Sequence, residues 1–159
     1  MGRARELEQT LHELVPLSDA MGVAVERVSD DGIVLTAPLS ANHNHAGTAF
    51  GGSLYSLACL AGWAWLRAGL ADRGLRPMLV IAEGTMRYLR PAHEDALRAV
   101  LRAEPETLDG IAIRLRTGRR ARVDLDVHLP DDSDPVAVLT ARFAALPPAE
   151  ADAAREKAR

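Results

Sequence analysis

From Ala46 to Leu66 the chain carries no charged residue, an uncharged run close to the roughly 20 residues that cross a bilayer. Gly47, Thr48, Gly51, Gly52, Ser53, Ser56 and Gly62 interrupt it, leaving a strongly apolar part that begins near Leu54 and is too short to span a membrane. What remains is a helix from about Phe50 to Leu70, with Leu, Ala, Trp and small residues on every side and no polar stripe to face water. Such a helix must be enclosed. The rest of a 159-residue chain, 48% apolar overall, is long enough to build one continuous core around it.

The flanking segments supply the enclosure. Leu7, Leu11, Leu14 and Val15 recur at helical spacing over Arg3 to Val15, and Pro16 stops the pattern. Met21 to Val28 and Ile33 to Leu39 read as a hairpin joined through Ser29, Asp30, Asp31 and Gly32. After the apolar helix, Met78 to Arg90 and Ala96 to Glu104 read as a second pair of strands, split by Pro91, His93, Glu94 and Asp95. Pro105 to Gly118 is either a short helix around Leu108 to Leu115 or part of a strand, with helix the preferred assignment. Ala121, Val123, Leu125, Val127 and Leu129 alternate with Arg122, Asp124, Asp126 and His128, the pattern of a strand with one wet face. Val136 to Leu146 pairs with it across a turn from Pro130 to Pro135.

Helix, two strands, an enclosed helix and then about four antiparallel strands have one natural arrangement: a curved sheet whose apolar face wraps the central helix. This α+β architecture is the hotdog fold. One domain is expected over residues 1–146, followed by a polar, alanine-rich tail over 147–159. An open sheet edge and an incompletely covered helix favour closure by a second copy, as a homodimer or a dimer of dimers.

Charge and cysteine usage narrow the partners. A net charge of −3 and a pI of about 5.9 provide no global positive field for nucleic-acid phosphates. Cys59 has no second cysteine to pair with, and the first ten residues, MGRARELEQT, lack the apolar core of a secretory signal, so a cytoplasmic location is expected.

The chemistry is concentrated between the hairpin and the central helix. Asn42, His43, Asn44 and His45 place four polar side chains in one short loop, while Gly47, Gly51 and Gly52 allow backbone to approach a ligand where a helix begins. A helix N-terminus directs unpaired N–H donors and partial positive charge at what lies before it, which suits a thioester carbonyl that becomes an oxyanion under attack. The amide of Asn44 is placed to orient water or that carbonyl. The plainer alternative is that these residues satisfy a turn and the glycines serve packing.

The stretch NHNHAGTAFGGSLYSLACLAGW, followed by VIAEGTMRYLRPAHED, resembles the thioesterase family related to the C-terminal domain of bacterial YiiD. Asn42, Asn44, Gly47, Thr48, Phe50 to Ser53, Glu83 and Tyr88 to Pro91 carry the resemblance, which runs from about Leu7 to Leu146. It implies a hotdog fold, dimerisation and an acyl thioester substrate, and it marks Asn42, Thr48, Phe50 and Ser53 as substrate-binding positions. Coenzyme A enters only as part of that substrate; no metal and no separate cofactor are expected. A broader likeness to the phenylacetate-pathway hotdog thioesterases is partial. Asn44, Gly47, Gly51 and Gly52 fit it, but Phe50 stands where that type has histidine and Cys59 where it has a helical acid.

Two groups compete to replace the missing acid. Glu83 shares a strand face with Leu79, Ile81, Thr85 and Arg87 on simple alternation, so an apolar setting would raise its pKa and suit it as a base for water; a salt bridge to Arg87 is the alternative. His45 is a second base. Cys59, inside the apolar helix, reads as packing rather than as a nucleophile, and Trp63 and Trp65 read as core. Arg87, Arg90, Arg119 and Arg120 are candidates for the phosphates of coenzyme A, against a background of solvated surface charge. The leading activity is hydrolysis of an acyl-CoA or acyl-carrier thioester. The alternatives are a thioester-binding module without turnover, and a hydratase or dehydratase, whose paired acid and histidine are not evident in the loop.

Overall fold

A computed structural model of the protein describes residues 2–130, 133–148 and 156. Most of the expected 147–159 tail and part of the Pro130 to Pro135 turn lie outside the described residues. The chain runs α1 (Arg3–Leu14), α2 (Pro16–Ala20), β1 (Ala24–Ser29), β2 (Gly32–Pro38), a 3-10 turn (Leu39–Ala41), α3 (Gly51–Asp72), β3 (Met78–Tyr88), β4 (Ala96–Arg102), α4 (Glu106–Arg116), β5 (Ala121–Leu129) and β6 (Ala137–Leu146). The strands form one antiparallel sheet in the order β1-β2-β4-β5-β6-β3. No helix among the described residues is long and apolar enough to cross a membrane.

The uncharged helix is enclosed as its sequence requires. All six strands pack on α3, and Leu57, Ala58, Ala61, Ala64, Trp65 and Leu70 are inaccessible to solvent. Trp65 satisfies its indole N–H with the carbonyl of Ser29 at 3.2 Å, tying the helix to the β1–β2 hairpin while its ring fills the core. Gly62 lets the sheet come close: a Cβ there would stand 2.6 Å from the ring of Phe143 on β6. The preferred helix over Leu108 to Leu115 is present as α4, whose Leu108, Ile111, Ala112 and Leu115 face inward.

Two details depart from the sequence reading. Pro16 ends α1 but also opens α2, because a proline's fixed φ and missing N–H suit the first turn of a helix as well as its end. The strands read as a second pair, β3 and β4, are not neighbours: β4 lies between β2 and β5, whereas β3 crosses to the far edge and pairs with β6. From that edge β3 packs on α3 as the other five strands do.

The sheet's two edges are treated differently. At the β1 edge α1 packs alongside, the Val25 N–H donates to Glu8 at 2.8 Å and a ring nitrogen of His12 meets the Val23 carbonyl at 2.7 Å. Among the described residues β3 pairs with β6 alone, and its edge exposes Val80 and Ile81. A long open edge with apolar side chains is a template for pairing with another strand.

Gly62→Ala should destabilise the fold. Overpacking against Phe143 outweighs the gain in helix propensity, for a net cost of about 1–2 kcal/mol, read as a lower midpoint with unchanged slope in urea unfolding; an equal or higher midpoint would show that Phe143 moves aside freely.

Candidate functional site

The loop from Asn42 to Phe50 is built from its own polar side chains. Asn42 is buried, its amide donating to the carbonyls of Met21 and Pro38, both at 2.8 Å. Its backbone carbonyl accepts the N–H of Phe50 at 2.8 Å, which closes the loop at its base. Asn42 was expected to bind substrate; its amide nitrogen is instead committed to the chain, and only Oδ1 lacks a partner among the described residues.

Asn44 organises the tip. Its Oδ1 accepts the N–H groups of Ala46 at 2.8 Å and Thr48 at 3.2 Å, and its Nδ2 donates to Thr48 Oγ1 at 2.8 Å. These are the bonds of an Asx turn that folds the loop back on itself, with Gly47 at φ 76° completing it. The geometry realises the turn-forming alternative for Asn44 and leaves its amide little freedom to hold water. His43 places Nδ1 2.9 Å from the Asn44 carbonyl, while His45 and Gly47 are exposed at the tip.

The loop delivers the chain to α3 at Phe50, which caps the helix without a side-chain hydrogen bond. The first intrahelical donor is Leu54, to Phe50 O at 3.1 Å. The N–H groups of Gly51, Gly52 and Ser53 therefore form the free positive end of a 22-residue dipole. Phe50, 55% exposed, lays its ring across Gly52, where any Cβ would collide with it.

Over this end lies Tyr88, the last residue of β3. Its hydroxyl donates to the Gly51 carbonyl at 2.9 Å, and a Cβ on residue 51 would stand 3.2 Å from its ring. A side chain at residue 51 would thus press against Tyr88, which would have to shift by a few tenths of an ångström. Between them opens a cleft of about 400 Å³ whose lining includes Thr48, Gly51, Leu54, Tyr88, Leu89 and Arg90. Arg90 is fixed at its rim by Asp134, with 2.9 Å to the carbonyl and 2.8 Å to the carboxylate. A second hollow of about 500 Å³ lies against the same loop, lined by Leu39, Ser40, His43, Gly47 and Asp95. Tyr88 is the site residue that sequence reasoning did not single out; the Tyr-Leu-Arg-Pro run was the signal available for it.

Glu83 is elsewhere. A β-bulge between Ile81 and Glu83 breaks the alternation of β3. Leu79 and Ile81 stand opposite the core residues Ala145 and Phe143, and beyond the bulge Gly84, Met86 and Tyr88 stand opposite Ala141, Leu139 and Ala137. Glu83, Thr85 and Arg87 consequently share the outer face. The expected apolar setting for Glu83 is corrected: its side chain is 72% exposed, 3.7 Å from Arg142, in a shallow depression with Asp124 and Thr140. Its ion-pair partner is Arg142 rather than Arg87. Arg142 also grips Asp124 through two bonds, 2.7 and 3.1 Å, which hold the Asp124 carboxyl below the usual carboxylate range and push the guanidinium up.

The remaining candidates separate by position. Arg119 and Arg120 follow α4 at the start of β5. In the sheet Ala121 aligns through Ala145 with Leu79, whereas Leu129 aligns through Ala137 with Tyr88. The nine residues of β5 put the two arginines roughly 30 Å from the cleft of the same chain. Cys59 is partly buried on α3; desolvation, tempered by a hydrogen bond with Tyr55, raises its thiol to about 11. It is a neutral thiol at physiological pH, in keeping with a packing role.

Residues 4–147 match the family described as "Putative thioesterase (yiiD_Cterm)". A crystal structure of a "putative thioesterase" from Shewanella oneidensis is 29% identical over 91% of this chain and 98% of that one, with a TM-score of 0.81. A Chlorobaculum tepidum protein of unknown function is 28% identical over 91% and 94% of the two chains, at 0.83. The phenylacetic acid degradation protein PaaI of Thermus thermophilus, 21% identical over 82% of this chain and 98% of that one, shares the fold at 0.59. With its six-stranded antiparallel sheet around a central helix and a match over nearly its whole length, the chain belongs to the hotdog-fold thioesterase family named for the C-terminal domain of YiiD.

Proposed function

We propose that the protein hydrolyses an acyl thioester carried by coenzyme A or an acyl-carrier protein. The observation that carries this reading is the uncapped start of α3 opening on an apolar cleft. A thioester carbonyl laid against the N–H groups of Gly51 and Gly52 gains hydrogen bonds and dipole stabilisation as it becomes an oxyanion, and a preorganised donor of this kind contributes roughly 10²–10³ in rate. Leu54, Leu89 and the exposed ring of Phe50 supply apolar surface for the acyl group. Tyr88 holds the first turn through Gly51 and is a positioning residue.

Within one chain, His45 is the better base for water. It lies on the loop that leads into α3, whereas Glu83 faces away from the helix beside Arg142. Asn44 serves by holding the loop in shape. Cys59 is unsuited to nucleophilic attack, since a thiol near 11 is thiolate in only about one molecule in ten thousand at pH 7.

The functional unit is a homodimer joined through the β3 edge. Antiparallel pairing of two such edges across a two-fold axis sets the Met78 end of one copy beside the Tyr88 end of the other. It also brings the partner copy's α4–β5 turn, with its two arginines, towards a cleft that they cannot approach in their own chain. Recognition of coenzyme A phosphates by Arg119 and Arg120 therefore requires the dimer, and Ile81→Lys should yield monomers on sedimentation with a raised KM for acyl-CoA; a monomeric native protein, or an unaltered KM in monomers, would remove this role.

Purified protein should release free thiol from a panel of acyl-CoAs. His45→Ala is expected to lower kcat about 100-fold with KM unchanged, while Glu83→Gln should be near native; the reverse result would transfer the base role to Glu83. Cys59→Ser should retain turnover. A second reading, a binding module without turnover, is favoured by the lack of any carboxylate among the residues lining the cleft, and saturable acyl-CoA binding with no thiol release would establish it.

A further inference from the structure

The last turns of α3 pass close to α1, leaving a cleft of about 280 Å³ whose lining includes Arg3, Glu6, Thr10, Arg67, Asp72 and Arg76. Its charges are unevenly satisfied. Arg3 is paired with Asp72 and, at 3.5 Å, with Asp30. Arg67 and Arg76 make no ion pair with any carboxylate among the described residues. Arg67 is the one cation on α3, whose only other charged residue is Asp72, and it is partly buried. Burial first, and then the like charge of Arg76, push its guanidinium below the ordinary value, with neither Glu6 nor Asp72 offsetting them.

Two adjacent cations, one of them desolvated, cost free energy that an anion between them would recover. We propose that this cleft is a binding site for a phosphoryl oxyanion, held by the forked guanidinium groups of Arg67 and Arg76. Arginine matches the two-oxygen face of such a group. The volume falls just below the roughly 300–1,000 Å³ of sites that enclose drug-sized ligands, so the site takes the phosphate end of a molecule rather than the whole of it. Glu6, at the cleft's wall, disfavours larger polyanions. This inference stands whether or not the chain cleaves thioesters.

Calorimetric titration of the full chain with pyrophosphate at low ionic strength should give saturable binding that weakens as sodium chloride rises. Arg76→Ala, at an exposed position, should fold normally and weaken binding roughly tenfold; Arg67→Lys keeps the charge and should lose less than Arg67→Met. Titration with coenzyme A separates two sources of the group. Competition with pyrophosphate assigns the site to the carrier's phosphates, and binding of pyrophosphate without competition assigns it to a free anion; both support the site. No saturable binding of pyrophosphate, or undiminished affinity in folded Arg76→Ala, overturns it.

Discussion

An apolar helix with no side to show to water is the constraint from which the rest of the structure follows. α3 cannot be covered by a layer on one side, and a single sheet satisfies it only by curving until every strand touches it. Close approach then depends on small residues. Gly62 admits the ring of Phe143, and Gly84 leaves room on β3 for the Tyr55 hydroxyl. The same enclosure leaves the helix's first turn as the part of α3 whose backbone donors are free, so the helix that builds the core also presents an uncapped end.

The structure separates its charges by sheet face. On the inner side lie the core and the cleft, which carries few charges; on the outer side Asp124, Arg142 and Glu83 form a solvated ladder. Exposed pairs of this sort contribute little to stability, and they engage Glu83 and Asp124 with Arg142 on the face away from the helix. The residues lining the cleft include no carboxylate, and the backbone donors at the start of α3 lie beside it.

Much of this was legible in the residues. The uncharged run identified the enclosed helix, and the unbroken alternation from Ala121 to Leu129 identified β5, because both patterns are local and repeat many times. The partner of β3 was not legible: strand pairing depends on which flank of α3 remains uncovered, a property of the assembled sheet. The orientation of Glu83 was lost for a different reason. Alternation is a reliable guide only while the strand is regular, and nothing in VIAEGT announces where a residue is inserted. At the loop, residue types left two roles open for Asn44, and whether it holds a ligand or its own backbone is decided by torsion angles that the residue list does not contain.

The bulge at Ala82 acts as a parity switch. Upstream of it odd-numbered side chains face the helix; downstream the even-numbered ones do. The same residues paired without the bulge, with the first half held in place by Leu79 and Ile81, would turn the carboxylate inward and Tyr88 outward together. Where the strand absorbs its extra residue therefore decides whether Tyr88 or Glu83 is presented to the start of the helix.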